Sequence, residues 1–263
     1  MKLGSLICGA IVAVLIAHAP AMAQPLFGKS GPNFETAGPN DIRVYVTTAM
    51  AATLTDDLLA QADRAVGKHV AIAWGSARGS IQESILAHNG DFELAIVVPD
   101  VNENALAKGK VKPGTYDVAV TPVALQIKGD ATVDVSSPEA VKKTLLGATA
   151  VRYSPTGAAL LTVRKILADL QLDGKIKNNE PATLQLTGNQ YEMGIYPLSE
   201  IIVKKDVRNL GPVVRELQVP AIMQASIGVR SRDDAGAKAF LAFLQTSATD
   251  SAFKATAFEK PAR

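Results

Sequence analysis

Apolar positions along this chain switch repeatedly between two spacings. IRVYVTT (42 to 48) has the β-branched, apolar character of a strand, and AMAATLTDDLLAQADRAV (49 to 66) then places Met50, Leu54, Leu58 and Leu59 on one face of a helix. HVAIAW (69 to 74) predicts a second strand, SIQESILAHN (80 to 89) a second helix ended by Asn89-Gly90, and FELAIVVP (92 to 99) a third strand. Strands separated by helices imply parallel pairing through right-handed crossovers, and hence an α/β fold.

The middle of the chain departs from that rhythm. YDVAVTPVALQIKG (116 to 129) is a long β-prone run broken by Pro122, which suits either a strand pair crossing between two lobes or an edge strand with a loop. SPEAVKKTLLG (137 to 147) predicts a helix with Ser at its cap and Pro in its first turn. ATAVRY (148 to 153) predicts a strand, SPTGAALLTVRKILADLQL (154 to 172) a helix start and body, and ATLQL (182 to 186) a short element. MGIYPLSEIIV (193 to 203) and VPAIMQASIGV (219 to 229) read as further strands; AGAKAFLAFLQTS (235 to 247) and residues 250 to 257 read as closing helices. Two lobes accommodate this order better than one large domain. Residues 41 to 120 with about 205 to 263 are expected to form the first lobe, and 121 to 204 the second.

Residues 1 to 23 stand outside the pattern. Lys2, the apolar run LICGAIVAVLIA and the Ala21-Met22-Ala23 site before Gln24 predict a cleaved secretory signal, too short and too soon interrupted by Pro20 to span a bilayer. A bacterial leader of this kind implies a periplasmic protein. Residues 24 to 40, rich in Gly and Pro, predict a flexible lead-in. Cys8 is the only cysteine and would leave with the leader, which removes thiolate chemistry, disulfides and cysteine metal ligands from the mature chain.

Composition narrows the chemistry further. The 263 residues are 48% hydrophobic and 20% charged with net charge +2, which describes an ordinary globular protein and leaves no basic footprint for nucleic acid. No metal-binding spacing, P-loop, dinucleotide fingerprint or nucleophile elbow is present, so neither metal nor cofactor is expected. Three turns attract attention instead, at 47 to 50, 76 to 80 and 154 to 157, each after a strand and before a helical pattern. Such turns present backbone N–H groups and hydroxyls that suit an anion beyond the carboxyl ends of the strands, although Thr47, Ser80 and Ser154 would equally serve as helix caps.

The order of these motifs resembles the molybdate-binding branch of the type II periplasmic solute-binding proteins. IRVYVTTAM, GSARGSIQESI, YSPTGAAL, TGNQYEMGIYPLSEI and VPAIMQASIGV followed by AKAFLAFLQTSATDSAFKATAF carry the likeness from about Asp41 to Phe258. It implies a two-lobed α/β fold, each lobe a mixed, mostly parallel sheet flanked by helices, with a small anionic ligand in the cleft between them. It also implies a monomer, and an ABC permease as partner if the protein is a receptor. Thr47, Thr48, Ser76, Ser80, Ser154 and Thr156 fall at or beside the ligand turns.

Two departures point toward a carboxylate. Ala49 stands where the family places a serine, and Pro197 stands near its tyrosine, with Tyr196 one place early. Arg78 and Arg152 add guanidinium forks, which match carboxylates bidentately, whereas tetrahedral oxyanions are served by hydroxyls and amides. The branch includes periplasmic aconitate isomerases, so the resemblance also admits an enzyme. The leading expectation is a cofactor-independent isomerase of cis- and trans-aconitate, with Arg78 and Arg152 as clamps and Tyr196 or Tyr153 ahead of Glu83 and His88 as proton carrier. The alternative is the soluble receptor of an importer for molybdate or another small anion.

Overall fold

In the computed structural model, which describes residues 37–178 and 190–261, the apolar strands segregate into two sheets. The leader, most of the lead-in and the short element at 182 to 186 lie outside the described residues. Strand β1 (Ile42–Thr47) is buried along nearly all its length and pairs in parallel with β2 (Val70–Gly75) on one side and β3 (Leu94–Val97) on the other. Burial on both faces explains why these strands read as continuous apolar runs rather than alternating ones.

Helix α1 (Asp56–Val66) follows β1 only after a short turn at Thr48–Met50, so the helical spacing expected from residue 49 begins later. The reason is local: the Thr55 hydroxyl accepts the Leu58 N–H at 3.3 Å and caps the helix there. Helix α2 (Gln82–Ala87) is likewise preceded by a loosely wound turn, Ala77–Ile81. One helix went unread in the sequence. Pro99 opens α3 (Pro99–Ala107), immediately after the short β3.

At Pro122 the chain changes sheets. Strand β4 (Tyr116–Thr121) joins the first sheet and β5 (Val123–Lys128) the second, the crossing arrangement rather than the edge-strand one. Helix α4 (Pro138–Gly147), capped by Ser137, leads to β6 (Ala150–Tyr153); α5 (Leu160–Asp169) leads to β7 (Glu192–Pro197). The segment after β7 turns helical as α6 (Leu198–Ile201) instead of continuing as strand. A strand absent from the sequence reading, β8 (Arg208–Pro212), also belongs to the second sheet. The return to the first sheet therefore comes between β8 and β9 (Ala221–Ile227), later than the expected position near residue 205. Helices α7 (Asp234–Leu244) and α8 (Asp250–Ala255) close the chain on the first lobe, where α7 packs on α1.

The sheet orders are β2-β1-β3-β9-β4 and β6-β7-β5-β8. Their pairings leave one strand reversed in each, β9 in the first and β5 in the second, so both sheets are mixed with most strands running one way. The chain thus passes between sheets at Pro122 and again between Pro212 and Ala221.

A buried charge network holds the first lobe behind the site. Glu93, 1% exposed, accepts from the Arg43 backbone N–H and Nε at 2.9 Å, from Arg43 Nη2 at 3.1 Å and from the Arg232 N–H at 3.2 Å. Burial works against its charge, but these donors outweigh it and hold the carboxyl below its ordinary range. Such a carboxylate is tolerated only because nearly every lone pair has a donor.

Candidate functional site

Register places the candidate turns side by side. Thr47 ends β1 opposite Gly75 at the end of β2, and Tyr153 ends β6 opposite Ile195 of β7. The turn after β1 therefore lies next to the turn after β2, and the turn after β6 next to α6. Two contacts then join the pairs across the lobes. The Ser199 hydroxyl donates to the Ala49 carbonyl at 2.9 Å in a fully buried setting, and the Arg78 backbone N–H donates to the Thr156 carbonyl at 2.8 Å. Nearby, the Leu198 N–H donates to the carbonyl of Pro122, at the first crossing.

This convergence brings the turns that carry Thr47, Thr48, Ser76, Ser80, Ser154 and Thr156 to the junction of the lobes. Ser76 and Ser80 cap each other: the Ser80 N–H donates to Ser76 Oγ at 3.3 Å and the Ser76 N–H to Ser80 Oγ at 3.2 Å. Each hydroxyl accepts one bond in this exchange, which leaves its own proton as a donor. Glycines let the turn pack so tightly. A Cβ on Gly75 would stand 2.2 Å from Ser80 Oγ, and one on Gly79 2.3 Å from Ser76 Oγ and 3.1 Å from Thr156 Oγ1. Thr121, wholly buried just before Pro122, has a hydroxyl with no hydrogen-bond partner among the described residues.

At the turn after β2 the expectation of open backbone N–H groups is not met. Those of Ser76, Arg78, Gly79, Ser80 and Ile81 are already bonded within the protein, and α5 begins at Leu160, several residues past the turn at 154.

Neither arginine offers the open fork expected of it. Arg78 lies at the junction, but its Nε and Nη2 donate to the two carboxylate oxygens of Asp100 at 2.7 and 2.8 Å, and its Nη1 to the Gly157 carbonyl at 2.6 Å. Arg152 grips Glu192 of the neighbouring strand in the same bidentate manner, at 2.8 and 2.9 Å. That pairing raises the arginine's pKa and lowers the glutamate's. Asp100 and Ser199 were missed in the sequence. The Pro-Asp start of α3 was a legible signal for the first; nothing local marked the second.

The two tyrosines do not meet. Tyr153 is registered with Ile195, so alternation along β7 puts Tyr196 on the opposite face of the sheet. Tyr196 lines a pocket of about 380 Å³ confined to the second lobe, with Arg152, Glu192, Gln126, Lys128, Lys204 and others. There Lys204 Nζ sits 4.1 Å from the Tyr196 ring centre and donates to Gln126 Oε1 at 3.2 Å. Burial and the charge of Glu200 push the Tyr196 hydroxyl up, which disfavours it as a base, and burial pushes Glu200 itself up to about 7 against the pull of Lys204. His88 ends α2 with Nδ1 2.9 Å from Tyr45 Oη and 2.8 Å from the Ser84 carbonyl, and Glu83 is exposed on α2. Among the described residues, no group of three or more His, Cys, Asp or Glu is placed to hold a metal ion, and no helix is long and apolar enough to cross a membrane.

Comparisons with known proteins agree with this geometry. Residues 42–259 match the family of bacterial extracellular solute-binding proteins. Among solved structures, the periplasmic molybdate-binding protein of Azotobacter vinelandii is similar at 18% identity with a TM-score of 0.58, covering 84% of this chain and 100% of its own. The sulfate-binding protein of Mycobacterium tuberculosis is similar at 12% identity and TM-score 0.63, covering 84% and 87%. A Bordetella ferric binding protein is similar at 12% and 0.55, covering 84% and 86%. No curated protein matches the sequence. With two mixed sheets, two crossings and a family match spanning nearly all the described residues, the chain belongs to the bacterial extracellular solute-binding proteins and has their two-lobed type II fold.

Proposed function

We propose that this protein is the soluble receptor of an ABC importer and that its interlobe cleft takes a small tetrahedral oxyanion of the molybdate or sulfate kind. The observation that carries the reading is the engagement of both candidate arginines by carboxylates, Arg78 by Asp100 and Arg152 by Glu192, which leaves the hydroxyl-bearing turns at the junction as the candidate donors. Hydroxyl donors spread around a point suit an anion with oxygens in every direction, whereas a di- or tricarboxylate calls for planar forks. Periplasmic location and a membrane permease as partner belong to the same proposal, supported by the leader-like first 23 residues and by the family.

The aconitate isomerase expectation drew on two forks open to substrate and on a tyrosine beside them. With Arg78 held by Asp100, Arg152 held by Glu192, and Tyr196 on the sheet face opposite Tyr153, that reading loses the features that favoured it. Thermal melts with molybdate, tungstate and sulfate, alongside citrate and cis-aconitate, decide between them. The receptor reading expects a rise in Tm with an oxyanion and none with the carboxylates. Stabilisation by carboxylates alone, or appearance of trans-aconitate from the cis isomer, would overturn it.

A further inference from the structure

The bonds around Arg78 do more than withhold it from a ligand. Its guanidinium bridges three elements: Asp100 at the start of α3 in the first lobe, its own turn Ala77–Ile81, and the Gly157 carbonyl in the second lobe. The Arg78 backbone N–H adds a second bond across the same gap, to Thr156. All of these contacts run between groups of the protein itself. We infer that Arg78 and Asp100 form a clasp that favours lobe closure before any solute binds, with Asp100 as the positioning residue that aims the guanidinium at the second lobe.

The physical case rests on geometry and burial. A bidentate carboxylate fixes the plane of a guanidinium, and here it occupies the Nε and Nη2 edge, so the remaining Nη1 is held pointing at Gly157. The Arg78 side chain is only 10% exposed, and a cation so covered needs a carboxylate to remain in place; Asp100, 45% exposed, supplies it from a rigid helix start that also favours an acidic residue. The carbonyl of Gly157 then receives a charge-assisted bond, stronger than one between neutral groups. In an open receptor both partners of that bond return to water. From the usual worth of hydrogen bonds to charged groups, its loss should lower the closed-to-open ratio roughly ten- to hundredfold. Because a receptor closed in advance spends less of its binding free energy on closure, the clasp would raise apparent affinity and slow solute release.

The test needs no ligand. Nitroxide labels at Asp57→Cys in α1 and Lys143→Cys in α4, both exposed, report the distance between lobes in the full chain carrying Cys8→Ser. The ligand-free parent should show a dominant short distance. Arg78→Ala and Asp100→Ala should each move population to longer distances by similar amounts, and the double variant should open no further than Arg78→Ala alone, because Asp100 acts through Arg78. Arg78→Lys and Asp100→Asn, which keep more of the local packing, carry the same test if an alanine variant fails to fold. A parent already open without ligand, a distance distribution unmoved by Arg78 substitution, or an added effect of Asp100→Ala in the Arg78→Ala background would each overturn the inference. Whether the cleft prefers oxyanions or carboxylates does not enter these measurements, so the clasp and the receptor reading stand or fall separately.

Discussion

Replacing Gly79 by alanine probes how the site turn is packed. A methyl group there would sit 2.3 Å from Ser76 Oγ, a collision, and 3.1 and 3.3 Å from Thr156 Oγ1 and Cβ, a squeeze. The cheaper relief is rotation of Ser76 away from its cap on the Ser80 N–H, which costs about 0.5–2 kcal/mol, the worth of a helix cap. Thr156 must also give by a few tenths of an ångström, and its carbonyl holds the Arg78 N–H across the lobes, a bond worth about 0.5–1.5 kcal/mol. Gly79→Ala should therefore cost about 1–3 kcal/mol, partly in the first lobe and partly in closure. The Ser76 contribution can be isolated. Ser76→Ala alone should cost about 1 kcal/mol through the lost cap, and Gly79→Ala added to it should cost less than in the wild-type background, because the serine oxygen it collides with has gone. The assay is a double-mutant cycle of urea unfolding followed by circular dichroism. If the two substitutions are additive, the collision does not govern the turn and the packing argument is refuted.

Other expectations follow from the same contacts. Glu93→Ala leaves the buried Arg43 guanidinium without its main acceptor and should destabilise by about 3–5 kcal/mol in urea unfolding at neutral pH. Because the folded Glu93 carboxyl lies below its ordinary value of 4.5, its contribution is present above that pH and disappears as pH falls through the folded value, so the gap between wild type and Glu93→Ala should shrink in acid melts. Glu200 has the opposite sign. Its folded carboxyl is raised to about 7 from 4.5, so it favours the folded state in acid, and that advantage declines as pH rises through this window; Glu200→Gln should flatten the decline in a pH series of melts. Thr121→Val removes a buried hydroxyl that lacks a partner and should stabilise the solute-free protein by up to about 1–2 kcal/mol, where destabilisation in the same melt would show that the hydroxyl is bonded after all.

Much of the fold was legible because burial writes itself into residue type. IRVYVTT, HVAIAW and FELAIVVP read as strands from their β-branched, apolar runs, and Ser137-Pro138 marked a helix start that the structure places at the same point. Pro122 announced a break but not its meaning, since a proline ends a strand in the same way whether the chain turns at an edge or crosses to a second sheet. β8 stayed hidden because RNLGP carries little apolar signal and is only half-buried at Leu210 and Gly211, being held mainly by β5.

The residues of the site divide along the same line. Hydroxyls at the ends of predicted strands were named from sequence, because strand ends in α/β folds converge by topology alone. What the arginines do was not readable. Arg78 looked like a ligand fork in a loop of small residues, but Gly75 and Gly79 make room for the serines of their own turn and for Thr156 of the other lobe, and the guanidinium reaches Gly157. Asp100 lies 22 positions from Arg78, and Glu192 lies 40 from Arg152. Sequence determined where charge and hydroxyls are found along the chain, through hydrophobic period and turn chemistry. Only the tertiary structure decided which charges cancel one another, because pairing depends on distances of a few ångströms between segments that spacing along the chain does not relate.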